Sequence, residues 1–476
     1  MKTKSLLLSF LPILFSAVMM AGSATGKDVI KTYYVSSSMG NDRNDGLSPD
    51  TPKKHISAIG RKENVCIRLK CDDVFFEQVR DYSNSTIASY GEGERPVLCG
   101  FKVLLNSEAW EFDAQNGLWK IDLLRKNVFE GMLTGDEPED RINNVGFIYD
   151  ASKDAVYGHL VQSKTLLKTD GDFYISSHAN IDAINKDTFR YLYWKKAEDP
   201  RKMGSICFPM ALVSMRGMNH CIIKDIAIVG FSKFGIAQSN NITVENCQID
   251  LIGGALQIGK RSDWVRYGNG IEFWWTCKNN SVKNCLISRT YDCGTSIQGQ
   301  GEITGSPANI HFENNKFYHC RQAFEFFLKP TNDYRPDYVN CSFSDNICYE
   351  MGENEFSSPE ERDANLLSYD HTSKNMEIYN NVFWGAPHFC GSVYPKGMRD
   401  NTVYLYKRQY LNNYNLSKNL RISASGRNEI KTYKKRANDN SKVTILRKGS
   451  YKARRIEKKI LAQLGWKPVD LHLERL

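Results

Sequence analysis

The second half of the chain repeats a six-residue pattern of hydrophobic and polar positions, which reads apolar-x-Asn/Asp-x-x-apolar. Successive units begin 21, 38, 30, 31, 35 and 20 residues apart, and periods of this size are typical of solenoids. The seven units are 223–228, 244–249, 282–287, 312–317, 343–348, 378–383 and 398–403.

Each unit alternates apolar and polar residues and is rich in Val, Ile and Phe, as a half-buried strand is. A helical repeat would need apolar residues at three- and four-residue spacing over about ten residues or more, and the units lack this spacing. One such strand cannot bury its inner face alone, so the units must stack, about 4.8 Å apart. The pattern therefore predicts an all-β fold, a parallel β-helix.

The fourth position of the unit predicts a feature of the core. An Asn at a turn between two faces tolerates the left-handed backbone conformation, and stacked side-chain amides hydrogen-bond to one another. Four consecutive asparagines therefore predict an asparagine ladder with a structural role. In chain order, the fourth position carries Ile226, Cys247, Cys285, Asn315, Asn346, Asn381 and Asn401.

Residues 104–205 lack the repeated pattern. Four stretches, at 118–123, 145–149, 172–175 and 191–194, read instead as strands joined by polar turns. We expect a small antiparallel β insertion packed beside the coils, where it could wall a cleft. In solenoids the longer insertions collect on one face, often the binding face.

The N-terminus has the features of a secretory signal peptide. Two lysines among the first four residues precede an apolar run at 5–20 and small residues at 21–24. The run is too short to span a membrane. We therefore expect an exported protein, periplasmic or extracellular, without a membrane span.

Charge and cysteine content narrow the function classes. Residues 407–476 hold 19 Lys and Arg against 5 Asp and Glu, which leaves 44 against 49 elsewhere. The basic tail, with an amphipathic helix around 456–464, is interpreted as a solvated cap over the last coil; binding of an anionic polymer is the alternative. Nucleic acid is not an expected partner of an exported chain.

The thirteen cysteines are an odd number without a CxxC pair, which favours core thiols over disulfides or zinc.

The N-terminal part carries a family resemblance. The stretches are YYVS at 33–36, GNDRNDGLSP at 40–49, DVFFE at 73–77 and SYGEGERPVL at 89–98. They resemble the first coils of secreted bacterial right-handed parallel β-helix proteins, a group that includes polysaccharide lyases and β-helix glycoside hydrolases. With the seven units, the similarity touches most of residues 33–405. It implies an enzyme acting on a complex, often acidic, polysaccharide, and it does not name the sugar.

A second strand should follow each unit, at 269–274, 295–299, 322–327 and 364–368. If Ile271, Ile297 and Phe324 point inward, alternation turns the next residues outward on one line. Two carboxylates would then lie two rungs, or about 9.6 Å, apart, which suits the about 6.5 to 9.5 Å of inverting glycosidases. The three outward residues would be Glu272, Gln298 and Glu325.

Asp292 lies just before the Gln298 strand and could lean over Glu272. Clustered carboxylates raise the pKa of one member, which a general acid near neutral pH requires. We therefore take Glu272, Asp292 and Glu325 as the catalytic candidates. The alternative is that they are solvated strand residues or ion-pair partners of nearby arginines.

Aromatic and basic residues near these acids are candidates for substrate binding. Aromatic faces are platforms for sugar rings, and arginines clamp carboxylates. Because Trp274 and Trp275 are adjacent on a strand, only one of the two should line a cleft. The substrate-binding candidates are Arg266, Trp275, Tyr291, Gln298, Arg321 and His371.

Two other functions remain open at this stage. A polysaccharide lyase would use Lys329, His371 or Tyr291 as its base, and an arginine or calcium to neutralise a uronate. No Asp/Glu calcium cage is evident, so we expect no metal or other cofactor, with calcium as the open alternative. A non-catalytic glycan-binding protein would carry single acids paired with Arg. Hydrolysis is preferred, and the sequence does not predict an oligomeric state.

These interpretations divide the chain into five parts. They are a signal peptide at 1–24, an N-terminal cap with the first coils at 25–103, the insertion at 104–205, the β-helix with its catalytic face at 206–405 and the basic C-terminal segment at 406–476.

Overall fold

A computed structural model describes the chain from residue 30 to residue 475, with internal gaps. The predicted signal peptide lies outside the described residues. The gaps are 124, 126, 132–144, 176–189, 257–264, 275–276, 300–304, 353–363, 369–374, 386–387, 393–396, 407–420, 426–428 and 435–439.

Three long parallel sheets confirm the predicted parallel β-helix. In stacking order, sheet 1 contains Lys31–Val35, Val65–Lys70, Thr86–Tyr90, Ile222–Lys224, Thr243–Glu245, Lys278–Lys283, Ala308–Glu313, Val339–Ser344, Met376–Tyr379 and Gly397–Arg399. Sheet 2 contains Val74–Phe75, Val97–Cys99, Ala227–Val229, Gln248–Ile252, Leu286–Thr290, Lys316–Tyr318, Ile347–Tyr349, Val382–Trp384, Thr402–Tyr406 and Lys442–Leu446. Sheet 3 contains Val79–Arg80, Val213–Arg216, Phe234–Ala237, Asn269–Trp274, Cys293–Gly299, Gln322–Leu328, Ala364–Ser368 and His388–Ser392.

The repeated unit spans the corner from sheet 1 to sheet 2. Its first residues pair in register from rung to rung along sheet 1 and point into the core. Its last residues do the same along sheet 2. The column on sheet 1 runs through Ile223, Val244, Val282, Phe312, Phe343, Ile378 and Met398.

The asparagine ladder is confirmed. Each ladder side-chain oxygen accepts the backbone N–H of the fourth-position residue one rung earlier, at 2.8 to 2.9 Å. Each side-chain N–H₂ donates to a core carbonyl at 2.9 to 3.0 Å. Ser441 closes the ladder, since its hydroxyl accepts the N–H of Asn401 at 3.0 Å. The buried members are Asn315, Asn346, Asn381 and Asn401.

The expected left-handed turn lies one residue earlier than predicted. The third position of every unit, an Asn or Asp, has φ between 51° and 58°, whereas the ladder residues do not. The side chain after the left-handed residue turns inward, and for this reason the fourth position reaches the core. The left-handed residues are Asp225, Asn246, Asn284, Asn314, Asp345, Asn380 and Asp400.

A second asparagine ladder lies on the surface at the start of the sheet 1 strands. Each side-chain N–H₂ donates to the side-chain oxygen one rung earlier, at 2.8 to 2.9 Å. The sequence carries a signal for it, because three of its intervals are the same 38, 30 and 31 residues that separate the units. Its members are Asn219, Asn241, Asn279, Asn309 and Asn340.

Two antiparallel sheets interrupt the coils between Phe101 and Pro209 and form the expected insertion. They include the four predicted strands, whose observed bounds are Leu118–Asp122, Ile148–Asp150, Phe173–Ile175 and Tyr191–Trp194. The other strands are Phe101–Leu104, Glu111–Asp113, Phe129–Gly131, Ala155–Tyr157 and Ile206–Pro209. A Cβ at Gly146 would lie 2.4 Å from the carbonyl oxygen of Gly253, so the insertion packs closely against the coils there.

The C-terminal segment packs against the side of the coils. Its helix, Tyr451–Leu464, lies on the outer face of sheet 2, where Ile460 and Leu464 pack with Tyr349 and Trp384. The helix was expected, but an amphipathic pattern does not say which apolar surface it covers.

Beyond the helix, the chain runs back toward the first coils. Trp466 stacks on Tyr318 with ring centroids 4.3 Å apart, Leu471 joins the core cluster of Val97, and Arg475 donates to the Asp72 carbonyl at 2.7 Å. We call residues 451–475 the C-terminal strap. The remaining elements are the hairpin Arg421–Ser425 and Glu429–Lys434 and the short 3₁₀ turns Ser57–Ile59, Ser107–Ala109, Lys164–Leu166, Pro200–Lys202 and Leu473–Arg475.

Candidate functional site

The outer face of sheet 3 brings the two predicted glutamates onto one line. Ile271, Ile297 and Phe324 are buried in the core, as expected. In the strand register Glu272 pairs with Ser296, and Ser296 pairs with Glu325. The two glutamates are therefore two rungs apart, or about 9.6 Å between backbones.

The predicted position of Gln298 in this line is wrong. Gln298 pairs with Trp274 and Phe327, two residues further along the strands, and Ser296 occupies the rung between the acids. Gln298 still reaches the site, because its Nε2 donates to Glu272 Oε2 at 3.1 Å.

Glu272 is almost fully covered, with 6% of its surface exposed. Its Oε2 accepts hydrogen bonds from Asn269 Nδ2 at 2.7 Å and from Gln298 Nε2 at 3.1 Å. Burial raises the pKa of the Glu272 carboxyl group to about 7. The charge of Lys233 and the two amide donors oppose this rise, and the charge of Asp292 adds to it. The carboxyl group thus exchanges a proton near neutral pH.

The strand geometry at Glu272 depends on a glycine. A Cβ at Gly270 would lie 2.6 Å from the carbonyl oxygen of Gly294 on the next rung. A residue larger than glycine would force the strands Asn269–Trp274 and Cys293–Gly299 apart, next to the point where Glu272 emerges.

Glu325 is 4% exposed. Burial, followed by the negative charge of Asp292, raises the pKa of the Glu325 carboxyl group well above its ordinary value; Arg321 opposes the rise and Glu272 adds to it. The thiol of Cys293 lies 3.8 Å from Glu325 Oε2. Glu325 therefore holds its proton more tightly than an ordinary glutamate.

Asp292 completes a group of three carboxyl groups. It is half-buried, and its Oδ1 lies 3.9 Å from Arg321 Nη1. Its charge acts on both glutamates, as predicted for a clustered site.

Arg266 and Tyr291 are not placed for substrate binding as predicted. The Arg266 guanidinium is buried and donates to the carbonyl oxygens of Gly254 and Gly146 at 2.6 Å, so it fastens the insertion to the coils. Tyr291 is buried beneath it, with the guanidinium carbon 4.2 Å from the ring centroid. The insertion covers both residues, and local sequence gives no sign of such a distant contact.

The remaining substrate-binding candidates are Trp275, His371 and Arg321. Trp275 and His371 lie outside the described residues. Arg321 does lie at the site: its guanidinium is 5.8 Å from the Tyr291 ring centroid and acts on the Glu325 carboxyl group.

Four residues of the site were missed in the sequence. Lys233 comes from the preceding coil, and its amine lies 4.2 Å from the Tyr267 ring centroid. Asn269, Cys293 and Ser296 carry the polar contacts between the two acids. The strand pattern gave an indication of two of these residues. Asn269 and Cys293 are the first residues of the strands that carry Glu272 and Ser296.

In the described part of the chain, the group of potential metal ligands within 4.8 Å of one another is Asp470, His472 and Glu474, on the C-terminal strap. None of the helices described is both long and apolar enough to cross a bilayer.

Several solved structures show a low similarity to this chain. No family model matches the chain. No curated protein matches it either. Similar solved structures include a complex of XylC with xylose, at 11% identity and a TM-score of 0.45 over 79% of this chain and 69% of that one. A glycoside hydrolase matches at 9% identity and 0.42 over 89% and 98%, and pectate lyase Pel9A at 12% and 0.39 over 88% and 78%. Identities of this size do not transfer an activity.

Proposed function

We propose that this protein is an exported carbohydrate-active enzyme that hydrolyses glycosidic bonds in a complex, acidic polysaccharide. The observation that carries the proposal is the pair Glu272 and Glu325. Both side chains are buried, both point to the same outer face of sheet 3, and both have a raised carboxyl pKa.

The different surroundings of the two glutamates give them different roles. Two amide N–H groups donate to Glu272, and donors of this kind stabilise the ionised form. For Glu325 the described donor is a thiol, which is a weak one. We therefore assign Glu325 as the general acid and Glu272 as the general base.

The chemistry follows from these roles. Glu325 gives its proton to the glycosidic oxygen as the bond to the anomeric carbon breaks. Glu272 takes a proton from a water molecule whose oxygen forms the new bond on the opposite side of the sugar. Inverting enzymes keep their two carboxyl groups about 6.5 to 9.5 Å apart to leave room for this water. Two rungs of the β-helix, about 9.6 Å between backbones, are compatible with that distance.

The cations beside the acids support an acidic substrate. Lys233 and Arg321 are half-buried and act on the carboxyl groups of Glu272 and Glu325, respectively. A uronate or sulfate next to the cleaved bond would find positive charge there. Asp292 lies between the two catalytic groups and is assigned to the acid–base cluster.

The test is digestion of a panel of acidic and neutral polysaccharides, with a reducing-end assay as readout. Glu272→Gln and Glu325→Gln should each lower kcat by roughly 100-fold or more, because each removes one proton-transfer group. The matched control is Glu377→Gln, a half-exposed sheet 1 glutamate that pairs with Arg399 at 3.3 Å and should retain activity. Equal activity in all three variants would refute the assignment.

The stereochemistry provides a separate check. Proton NMR of the first product should show the anomer opposite to that of the substrate. Retention of configuration would contradict the separation of roles between Glu272 and Glu325, even if both residues were essential.

A polysaccharide lyase is the second candidate, and the same two cations favour it. A lyase neutralises the uronate carboxylate and removes the neighbouring proton with a base. In that case Glu272 or a residue outside the described set would act as base, and the products would absorb ultraviolet light through their new double bond. New reducing ends without that absorbance would reject elimination.

A non-catalytic glycan-binding protein is the third possibility named by the sequence. It predicts single acids paired with arginine, whereas Glu272 and Glu325 are clustered and contact amides and a thiol instead. Binding of a glycan without turnover across the whole panel would favour this possibility.

A further inference from the structure

Cys293 differs from the other cysteines in what its thiol contacts. Twelve of the thirteen cysteines are free thiols in the structure. The thiols of Cys247, Cys285, Cys320 and Cys341 each donate to a backbone carbonyl. The thiol of Cys293 instead lies 3.1 Å from Asn269 Oδ1 and 3.8 Å from Glu325 Oε2.

These contacts form a continuous chain between the two carboxyl groups. Asn269 donates through Nδ2 to Glu272 at 2.7 Å, and its Oδ1 accepts from Cys293. Cys293 in turn reaches Glu325. Cys293 is fully buried but is not part of a hydrophobic cluster of the core. The Cys293 thiol therefore contacts two polar groups, the amide of Asn269 and the carboxyl group of Glu325.

A thiol has one proton and can serve one acceptor at a time. Burial, and then the charge of Glu325, raises the pKa of the Cys293 thiol well above its ordinary value, so the proton stays on sulfur. An ionised carboxylate is a stronger acceptor than an amide oxygen. The thiol proton should therefore turn to Glu325 when that group is ionised, and to Asn269 when it is protonated.

Several other groups also act on Glu325, and their effects must be separated from that of the thiol. Arg321 favours its ionised form, while Asp292 and Glu272 disfavour it. In the strand on the next rung, Leu367 pairs with Glu325. The buried phenol of Tyr338 is close enough to respond to its charge.

We propose that Cys293 is a positioning residue of the site, whose thiol switches its hydrogen bond between Glu325 and Asn269 and so links the protonation of the acid to the amide that holds the base. The role as part of a catalytic site rests on the proposed function. The hydrogen-bond switch itself does not, and it can be measured without a substrate.

Thermal unfolding across the pH range tests the switch. The folded-state pKa of Glu325 is raised, so stability is lost as pH rises from the unfolded value toward the folded one. Cys293→Ala removes a donor to the carboxylate and should move the midpoint of this loss upward by roughly half a pH unit. Cys293→Ser supplies a stronger donor and should move it downward. The cavity left by alanine costs the same at every pH.

Two controls make the result decisive. Cys320→Ala and Cys320→Ser change a buried thiol that donates to the Ile287 carbonyl at 3.6 Å, so their effects should not depend on pH. In a Glu325→Gln background the pH-dependent part of the Cys293 effect should vanish. If it persists there, or if Cys293→Ala changes stability equally at pH 5 and pH 9, the switch does not exist.

The experiment separates this inference from the proposed function. Failure to cleave any glycan, combined with the expected pH shifts, would refute hydrolysis and keep the switch. Full hydrolytic activity with no pH shift would do the reverse.

Discussion

At the residue scale, the two glutamates of the site are the same kind of side chain in different surroundings. Glu272 and Glu325 share burial, a common cause of their raised pKa. They differ in the donors that reach them, namely two amides for one and a thiol for the other. Alternation along the strands predicted the two acids. The donors Asn269 and Cys293 were not predicted, because the contacts depend on neighbouring rungs.

The raised pKa of Glu272 predicts a pH-dependent cost to stability. Its folded value of about 7 exceeds the unfolded value of 4.5, so the fold loses stability as pH rises between these two values. Glu272→Gln cannot ionise and should therefore be more stable than the wild type at pH 8, by up to roughly 3 kcal/mol. At pH 4 the two proteins should be alike. Chemical denaturation at both pH values measures the difference.

The exposed glutamate Glu377 provides the matched control for this stability gain. Its carboxyl group is half-exposed beside Arg399, so Glu377→Gln should change stability little at either pH. If Glu272→Gln changes the free energy of unfolding by the same amount at pH 4 and pH 8, ionisation of Glu272 does not destabilise the folded protein.

At the element scale, the six-residue unit predicted the rungs, the corner and the ladder, because each is encoded within a few residues. The register of sheet 3 was not encoded in this way. A shift of two residues keeps the same side chains on the outer face, so alternation could not distinguish Ser296 from Gln298 as the partner of Glu272. The turns between strands vary in length and decide the register.

The buried ladder should contribute more stability than the surface ladder. Asn346→Ala would leave the N–H of Asn315 and the carbonyl of Phe312 without their partners in the core. Each unsatisfied buried group costs about 1 to 3 kcal/mol, so we expect a loss of roughly 2 to 5 kcal/mol in urea denaturation.

Asn309 on the surface ladder is the matched comparison. Asn309→Gly keeps the left-handed backbone, φ 53°, and removes only exposed amide contacts to Asn279 and Asn340. Its loss should stay below about 1 kcal/mol. Similar losses in the two variants would mean that the buried amides are not satisfying the backbone.

At the scale of the whole molecule, the insertion and the C-terminal strap determine which surfaces of the coils are covered. Arg266 reaches Gly146, 120 residues earlier in the chain, and this contact removed Arg266 and Tyr291 from the predicted substrate-binding set. The strap's helix was predicted from its apolar face, but its location was not. Contacts over such separations depend on the assembled surface of the coils, which short-range patterns do not describe.

Trp466 should contribute to holding the strap against the coils. Its ring stacks on Tyr318 at 4.3 Å, and the Arg289 guanidinium lies 5.2 Å from its centroid. Trp466→Ala removes these contacts and should lower the free energy of unfolding by roughly 3 kcal/mol. It should also speed proteolysis within the strap, since the residues beyond the helix lose one of their contacts with the coils. Tyr451→Ala, in the same strap but 77% exposed, should change neither quantity. If both variants behave like the wild type, the helix and the contacts of Leu471 and Arg475 hold the strap without the tryptophan.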